Sequence, residues 1–130
     1  MFIKNFIFIK NFTMIINIEE VRDYCLAKPC VTEGFPFDEK SLVFKVCNKM
    51  FAILSLDEDF RINLKCNPEK AVKLREEYSE IIPGYHMNKK HWNTVDLEGK
   101  LKADFVKQLI DDSYNLVFKS LPKKIRDLKR

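Results

Sequence analysis

Apolar residues that recur every three or four positions predict three helices along this chain. The first covers residues 18–26, and Asn17 with Glu20 three positions later forms the pattern of a capping box at its start. The second begins after Asn67, because asparagine caps helices well and the proline that follows it is favoured at the first helical position. The third runs from about residue 102 to residue 120, and a proline closes it.

Four further segments have the composition of strands. Residues 42–46 and 49–54 are joined by the two residues Cys47-Asn48, which is the length of a tight hairpin turn. Residues 61–65 alternate between polar and apolar, and residues 92–97 form the last strand. The resulting order, α-β-β-β-α-β-α with hairpin connections, predicts an α+β fold: a two-layer domain with an antiparallel sheet.

The N-terminal residues differ from the rest of the chain in composition. A lysine and an asparagine interrupt their apolar run, and no small-residue cleavage site follows, so residues 1–13 do not match a signal peptide. We expect the natural start at Met14, with residues 1–13 as a disordered or loosely packed extension. Residues 14–122 then form a single domain, and residues 123–130 form a basic tail.

The net charge of +4 comes from the two ends of the chain. Residues 1–13 contribute +2 and residues 123–130 contribute +4, whereas residues 14–122 contain 16 basic and 18 acidic residues, which leaves −2. The domain itself lacks the basic balance that is common in nucleic-acid-binding domains, so any phosphate-binding surface must be a local patch. No apolar run approaches the roughly 20 residues of a membrane span, and we expect no membrane partner.

The distribution of cysteine and histidine does not indicate a metal, a cofactor or a catalytic site. The cysteines at positions 25, 30, 47 and 66 form no C-x-x-C pair, and the two histidines are five positions apart, which is not the spacing of zinc ligands. A nucleophilic cysteine needs an electropositive, partly exposed setting that the sequence does not predict. We therefore interpret the cysteines as reduced structural thiols in a cytoplasmic protein that is not an enzyme.

The segment Pro83–Thr94 concentrates more polar and aromatic chemistry than any other part of the chain. It opens with a Pro-Gly turn and holds both histidines, the only tryptophan, a tyrosine, two adjacent lysines and two asparagines. Such a density of hydrogen-bonding groups is typical of a recognition surface, because a buried core does not tolerate it. The long connection of residues 79–91 between the second helix and the last strand also indicates a functional loop.

Strand alternation places several of these groups on one polar face of the predicted sheet. The three polar residues of strand 61–65 point away from the core, and the phase that buries the valine and leucine of the last strand turns Trp92 to the same side. An exposed tryptophan among lysines and asparagines could hold phosphates and stack on bases. Alternatively, Trp92 is a core residue and His86-Met87 fix the loop. The candidate binding residues are Lys45, Arg61, Asn63, Lys65, Tyr85, His86, Asn88, Lys89, Lys90, His91, Trp92 and Asn93.

Five motifs give the chain its resemblance to a known family. They are Ile18-Glu19-Glu20-Val21-Arg22, Val43-Phe44-Lys45-Val46, Lys49-Met50-Phe51-Ala52, Asn63-Leu64-Lys65-Cys66-Asn67-Pro68 and Pro83-Gly84-Tyr85-His86-Met87-Asn88-Lys89-Lys90-His91-Trp92-Asn93. From residue 14 to about residue 124 the chain resembles the MmcQ/YjbR family of small bacterial proteins, which are labelled DNA-binding. The resemblance implies a fold similar to frataxin-like and secretion-chaperone-like domains. Two departures affect local turns: Cys30 replaces a glycine, and Cys47-Asn48 replaces a glycine-rich turn.

Two classes of function remain open at this point. The first is a DNA-binding module that uses the basic sheet face, the Lys89-Lys90 pair and the basic tail. The second is a protein- or small-ligand-binding domain with no nucleic-acid role, since secretion-chaperone-like folds can bind peptides. The two differ in salt dependence, because phosphate contacts weaken steeply as salt rises and apolar peptide contacts do not.

Overall fold

The structure, a computed structural model, describes residues 16–57 and 59–128. The prediction of an extension at residues 1–13 lies outside these described residues. The helices are α1 (Ile18–Leu26), α2 (Pro68–Glu77), α3 (Ala103–Lys119) and α4 (Lys123–Leu128). The strands are β1 (Val31–Gly34), β2 (Ser41–Val46), β3 (Lys49–Ser55), β4 (Arg61–Lys65), β5 (Ile81–Pro83) and β6 (Trp92–Asp96).

All six strands of the described residues form one antiparallel sheet in the order β1-β2-β3-β4-β6-β5. The predicted α+β class and antiparallel sheet are confirmed. The sequence patterns did not predict β1 and β5. These strands have only four and three residues and end at Gly34 and Pro83, residue types that normally indicate a turn. The predicted loop of residues 79–91 is therefore shortened by β5. Residues 123–128 of the basic tail form α4.

The predicted local signals are present in the structure. The Asn17 side chain accepts the Glu20 backbone N–H at 2.8 Å, and the reciprocal bond completes the capping box of α1. Asn67 caps α2 by accepting two backbone N–H groups, with a proline at the first position of the helix. The Cys47-Asn48 turn has φ values of 47° and 72°, the pair of left-handed residues that a two-residue type I′ hairpin requires.

Within the described residues, the helices cover one face of the sheet. α3 packs across β2, β3 and β4, α2 packs beside β5, and α1 lies next to β1 and α3. The core between the layers contains fully buried side chains from both, and Phe51 meets the ring of Tyr114 edge-on with centroids 5.3 Å apart. No helix in the described ranges is long and apolar enough to cross a membrane.

A β-bulge in β3 joins the sheet to α3. Phe44 pairs with Ala52 and Lys45 pairs with Met50, which leaves Phe51 as an extra residue in the strand. The carbonyl of Phe51 accepts a hydrogen bond from the buried Ser113 hydroxyl at 2.6 Å. The hydroxyl oxygen of Ser113 in turn accepts the backbone N–H of Lys65 on β4 at 2.8 Å. The Ser113 side chain therefore pairs two backbone groups, the Phe51 carbonyl and the Lys65 N–H, that have no partner in the irregular strand ladder.

Replacing Ser113 with alanine is expected to lower the free energy of unfolding by about 1–3 kcal/mol, because both backbone groups would be buried without a partner. Ser79→Ala serves as the control, since this serine is exposed and its loss should change stability by less than about 0.5 kcal/mol. Urea unfolding of the two variants and the unmodified chain measures the difference. Equal stability of the two variants would contradict the assignment.

Candidate nucleic-acid interface

The helix-free face of the sheet carries the polar residues that strand alternation predicted. Lys45 pairs with Met50 across β2 and β3, and Lys65 pairs with Trp92 across β4 and β6, so these side chains share the face opposite the helices. Arg61 and Asn63 follow the same alternation on β4, where the residues between them are buried in the core. The predicted orientation of these four polar side chains is confirmed.

A groove of about 440 Å³ opens at one end of this face, beside the Cys47-Asn48 turn. We call it the basic groove and define it by Phe37, Lys45, Lys49, Met50, Lys65 and Trp92. The three lysines come from three neighbouring strands, and Val117 and Ser120 at the end of α3 close the far wall. Lys45 and Lys65 are half-buried, whereas Lys49 is exposed. The sheet therefore brings together cations that lie up to 20 positions apart in sequence, from 45 to 65.

No acidic side chain of the described residues lines the basic groove or forms an ion pair with its three lysines. Of the described residues that line the groove, none is an aspartate or a glutamate. The ion pairs found within residues 16–57 and 59–128 involve other lysines and arginines. Ammonium groups gathered in this way create a local positive potential that attracts anions such as phosphates.

Trp92 is buried, with 8% of its surface exposed, so the predicted exposed tryptophan is wrong. The reason is the loop of residues 84–91, which folds back over the start of β6. The Gly84 N–H donates to the Trp92 carbonyl at 2.8 Å, and a Cβ at Gly84 would lie only 2.8 Å from the Trp92 Cβ. Trp92 still lines the basic groove, but with so little exposed surface it forms part of the wall and does not serve as a stacking platform.

Two exposed aromatic side chains lie instead in the loop between β1 and β2. Phe37 is 63% exposed and Phe35 is 50% exposed, and Phe37 lines the basic groove. Asp38 fixes the end of this loop, because its carboxylate accepts the N–H groups of Lys40 and Ser41 at 2.8 Å each. These backbone N–H groups lower the pKa of Asp38. Sequence reasoning missed Phe37 and Lys49, although two phenylalanines in a breaker-rich segment are an available signal for exposed aromatics.

A second hollow, also of about 440 Å³, lies in the middle of the same face and carries charges of both signs. We call it the mixed-charge pocket and define it by Lys40, Asp57, Arg61, Asn63, Tyr85 and His86. The Arg61 guanidinium lies 4.8 Å from the Tyr85 ring centroid, and the Tyr85 and His86 rings are 4.0 Å apart. The Lys40 ammonium lies 3.7 Å from a carboxylate oxygen of Asp57, so the pocket has less net positive charge than the basic groove.

Hydrogen bonds attach Tyr85 to the centre of the sheet. Its N–H donates to the Thr94 hydroxyl at 2.8 Å, and that hydroxyl donates to the side-chain oxygen of Asn63. The Asn63 amide in turn donates to the Tyr85 carbonyl at 3.5 Å. Thr94 is consequently buried, and Asn63 is engaged within the protein. Asn63 positions Tyr85 in the mixed-charge pocket, a role that the sequence pattern did not predict.

The remaining candidates lie outside both hollows and stabilise the loop of residues 84–91. The Asn88 side-chain oxygen accepts the N–H groups of Lys90 and His91, and the Lys89 ammonium donates to the Gly84 carbonyl at 2.9 Å. The His91 carbonyl accepts the N–H of Cys66 at 2.8 Å. Lys90 is exposed, but it is not among the residues that line the basic groove.

Arg75 on α2 completes the anchoring of this loop from the helical side. Its guanidinium donates to the side-chain oxygen of Asn93 at 2.6 Å and to the carbonyls of Lys89 and Trp92. Asn93 is 3% exposed and its amide also reaches the Ala71 carbonyl at 3.5 Å. Asn93 therefore belongs to the interface between the sheet and α2 and does not lie on the polar face with Lys45 and Lys65.

The opposite end of the open face is acidic. Asp59, Glu80, Asp96 and Glu98 line a shallow hollow there, with Arg61 as the basic residue at its border. The face is thus polarised from an acidic end to the basic groove, which restricts anion binding to one end. Within the described ranges, no group of three or more histidine, cysteine, aspartate or glutamate side chains is placed to hold a metal ion.

Comparison with known proteins identifies the family to which this chain belongs. The family description YjbR matches residues 26–116, which is more than half of the chain. The chain belongs to the YjbR family. It is 36% identical over 114 residues to the Escherichia coli K12 protein named uncharacterized protein YjbR, covering 87% of this chain and 97% of that protein. It is also 39% identical over 116 residues to uncharacterized protein YbdF of Escherichia coli O157:H7, covering 86% and 91%.

Solved structures of similar proteins have the same fold as this YjbR-family chain. The crystal structure of a Deinococcus radiodurans protein with a DUF419 domain matches with a TM-score of 0.83 and 37% identity, covering 89% of each chain. The crystal structure of a Pseudomonas syringae protein matches with a TM-score of 0.69 and 32% identity, covering 78% of this chain and 99% of the other. The predicted family is confirmed by these comparisons.

The tight approach of Gly84 to Trp92 generates a stability prediction for this YjbR-family loop. Gly84→Ala should lower the free energy of unfolding by about 1–3 kcal/mol, because the new Cβ would overlap the Trp92 Cβ and the Trp92 carbonyl. Gly34→Ala is the matched control, since a Cβ there has nothing within 4 Å. Thermal and urea unfolding of both variants provide the comparison, and an unchanged Gly84→Ala midpoint would show that the loop can move away from β6.

Proposed function

We propose that this YjbR-family protein is a non-enzymatic DNA-binding module that holds single-stranded DNA in the basic groove. The observation that carries the proposal is the convergence of Lys45, Lys49 and Lys65 beside the exposed Phe37, with no acidic residue among the described residues of the lining. Phosphate contacts from lysines supply affinity that is independent of sequence. An exposed aromatic side chain next to them adds stacking on a base.

Single-stranded DNA fits this surface better than a duplex does. The helices α1, α2 and α3 pack on the opposite face of the sheet, and only the C-terminal end of α3, with Val117 and Ser120, reaches the groove. No helix therefore projects from the side of the lysines to enter a major groove. A base can reach the ring of Phe37 only when it is unstacked from its neighbours. An open sheet face with basic and aromatic residues is a suitable platform for a flexible strand.

The charges of the open sheet face suggest the path of the bound single-stranded DNA. Phosphates are favoured in the basic groove and disfavoured at the acidic end near Asp59 and Asp96. Phe37 also lines the mixed-charge pocket, so a base stacked on Phe37 lies between the two hollows. Arg61 and Tyr85 in the mixed-charge pocket are then the next side chains that the DNA would contact.

Removing two lysines of the groove tests the electrostatic part of the proposal. Lys45→Gln combined with Lys65→Gln should weaken binding of a fluorescent oligothymidine and reduce the slope of log affinity against log salt by about 1.4, or about 0.7 for each lost phosphate contact. Fluorescence anisotropy titrations at several salt concentrations measure both quantities. A hairpin duplex of equal length, titrated in parallel, should bind more weakly.

The matched control is Lys73→Gln combined with Lys100→Gln, which removes the same charge from exposed lysines outside the groove. It should leave the salt slope within error of the unmodified protein. Equal slopes for the two double variants would reject the basic groove as the phosphate site. Equal affinity for the duplex and the single strand would reject the preference for unpaired DNA.

Substitutions of Phe37 and Trp92 are expected to have different effects, one on DNA affinity and the other on folding stability. Phe37→Ala should weaken oligothymidine binding by about 1–3 kcal/mol through lost stacking, without lowering stability, because the side chain is mostly exposed. Trp92→Ala should instead cost about 3–5 kcal/mol of folding stability, because the indole is buried. Anisotropy and urea unfolding on both variants decide the matter. A Phe37→Ala protein with unchanged affinity would remove the aromatic contact from the proposal.

A protein- or peptide-binding role is the second candidate, and the exposure of Phe35 and Phe37 favours it. Two neighbouring exposed phenylalanines can insert into an apolar site on a partner. The mixed-charge pocket beside them suits a peptide with charges of both signs. Such binding would be lost in Phe37→Ala but retained, with an unchanged salt slope, in the double lysine variant, because it does not use Lys45 or Lys65.

A further inference from the structure

Two cysteines that are far apart in sequence meet at the edge of the sheet. Cys30 directly precedes β1, and Cys47 is the first residue of the turn between β2 and β3. Both are free thiols, and their sulfur atoms are in direct contact at 2.7 Å, longer than the bond of about 2.05 Å in a disulfide. Sequence spacing conceals this pair, because its members are not within a C-x-x-C motif.

The backbone holds the two residues in place. Val31 pairs with Val46 in the β1–β2 ladder, and Cys30 and Cys47 are the next residues along it. The Cys47 N–H donates to the Cys30 carbonyl at 3.0 Å, so the ladder continues by one bond through this pair. Hydrogen-bonded antiparallel pairs have Cα atoms about 5.5 Å apart, which falls within the range that a disulfide spans.

The other two cysteines differ in accessibility. Cys25 and Cys66 are buried, and burial raises the pKa of both thiols, that of Cys25 to about 12. Thiols of this kind react slowly with oxidants because the thiolate is scarce. Cys30 and Cys47 are partly exposed, so a small oxidant can reach them.

We propose that Cys30 and Cys47 form a reversible intramolecular disulfide when the protein meets a hydroperoxide. One of the two sulfurs attacks the peroxide O–O bond and becomes a sulfenic acid, and the peroxide leaves as an alcohol or as water. The other sulfur then attacks the sulfenic sulfur, forms the S–S bond and releases water. Two electrons pass from the thiols to the peroxide, and an external dithiol reverses the reaction by exchange.

The disulfide would lie at the border of the basic groove. Asn48 and Lys49, the two residues after Cys47, both line the groove. The bond would tie β1 to the β2–β3 turn and close a loop that contains Phe35 and Phe37. The proposal itself stands on the geometry of the two sulfurs and does not depend on DNA binding.

Oxidation of the full chain with hydrogen peroxide, followed by thiol titration and mass spectrometry, tests the proposal. The titre in denaturant should fall from the four thiols of the sequence to two, with a mass loss of two hydrogen atoms. Digestion without reductant should yield a peptide pair joined through Cys30 and Cys47 within one chain. Dithiothreitol should restore the original titre and mass.

Cys30→Gly and Cys47→Gly should both lose the crosslink. Glycine is suitable because these residues have φ values of 64° and 47°, where glycine is unstrained and the fold should be retained. Cys66→Ala is the control and should still form the bond. The proposal is rejected if either glycine variant gives the same crosslinked species, or if peroxide adds oxygen atoms to Cys30 and Cys47 without joining them.

Discussion

The hydroxyl of Ser113 is the polar contact that ties α3 to two strands at once, within the apolar core that holds the two layers together. It lies between β3 and β4 where the bulge at Phe51 interrupts the regular ladder, and it serves as donor to one strand and acceptor to the other. A buried backbone group without a partner is costly, so α3 must keep this serine against the sheet. Because one of the two strands meets the serine at Lys65, the helix also fixes the strand position from which a lysine of the basic groove projects.

Most of the fold was predictable because its signals are local. The two asparagine caps and the two-residue turn each depend on a few adjacent residues, and all three appear in the structure. β1 and β5 escaped prediction because strands of four and three residues are too short to show alternation. Their pairing is decided by the neighbouring strands β2 and β6, which is information that a sequence window does not contain.

The candidate site was predictable only where alternation alone decides orientation. Lys45 and Lys65 lie in regular strands, and their predicted face is correct. Strand alternation places Trp92 on the same face, yet the loop that begins at Gly84 buries it. The alternation of polar and apolar residues gives no indication that a loop will fold over a strand. The polar density of this loop is largely explained by its own backbone, since Asn88 satisfies N–H groups that a tight loop cannot pair otherwise.

The basic groove is the feature that the requirements of folding explain least. Residues 14–122 carry a net charge of −2, so carboxylates are abundant, yet none in the described residues lines the groove. Neighbouring like charges repel each other and make no favourable contribution to the folded state. By contrast, Asn88, Asn93 and Arg75 all have hydrogen-bond partners within the protein. Lysines gathered without compensating charge gain favourable interactions when an anion enters, so the proposed function uses the groove and not the more conspicuous loop.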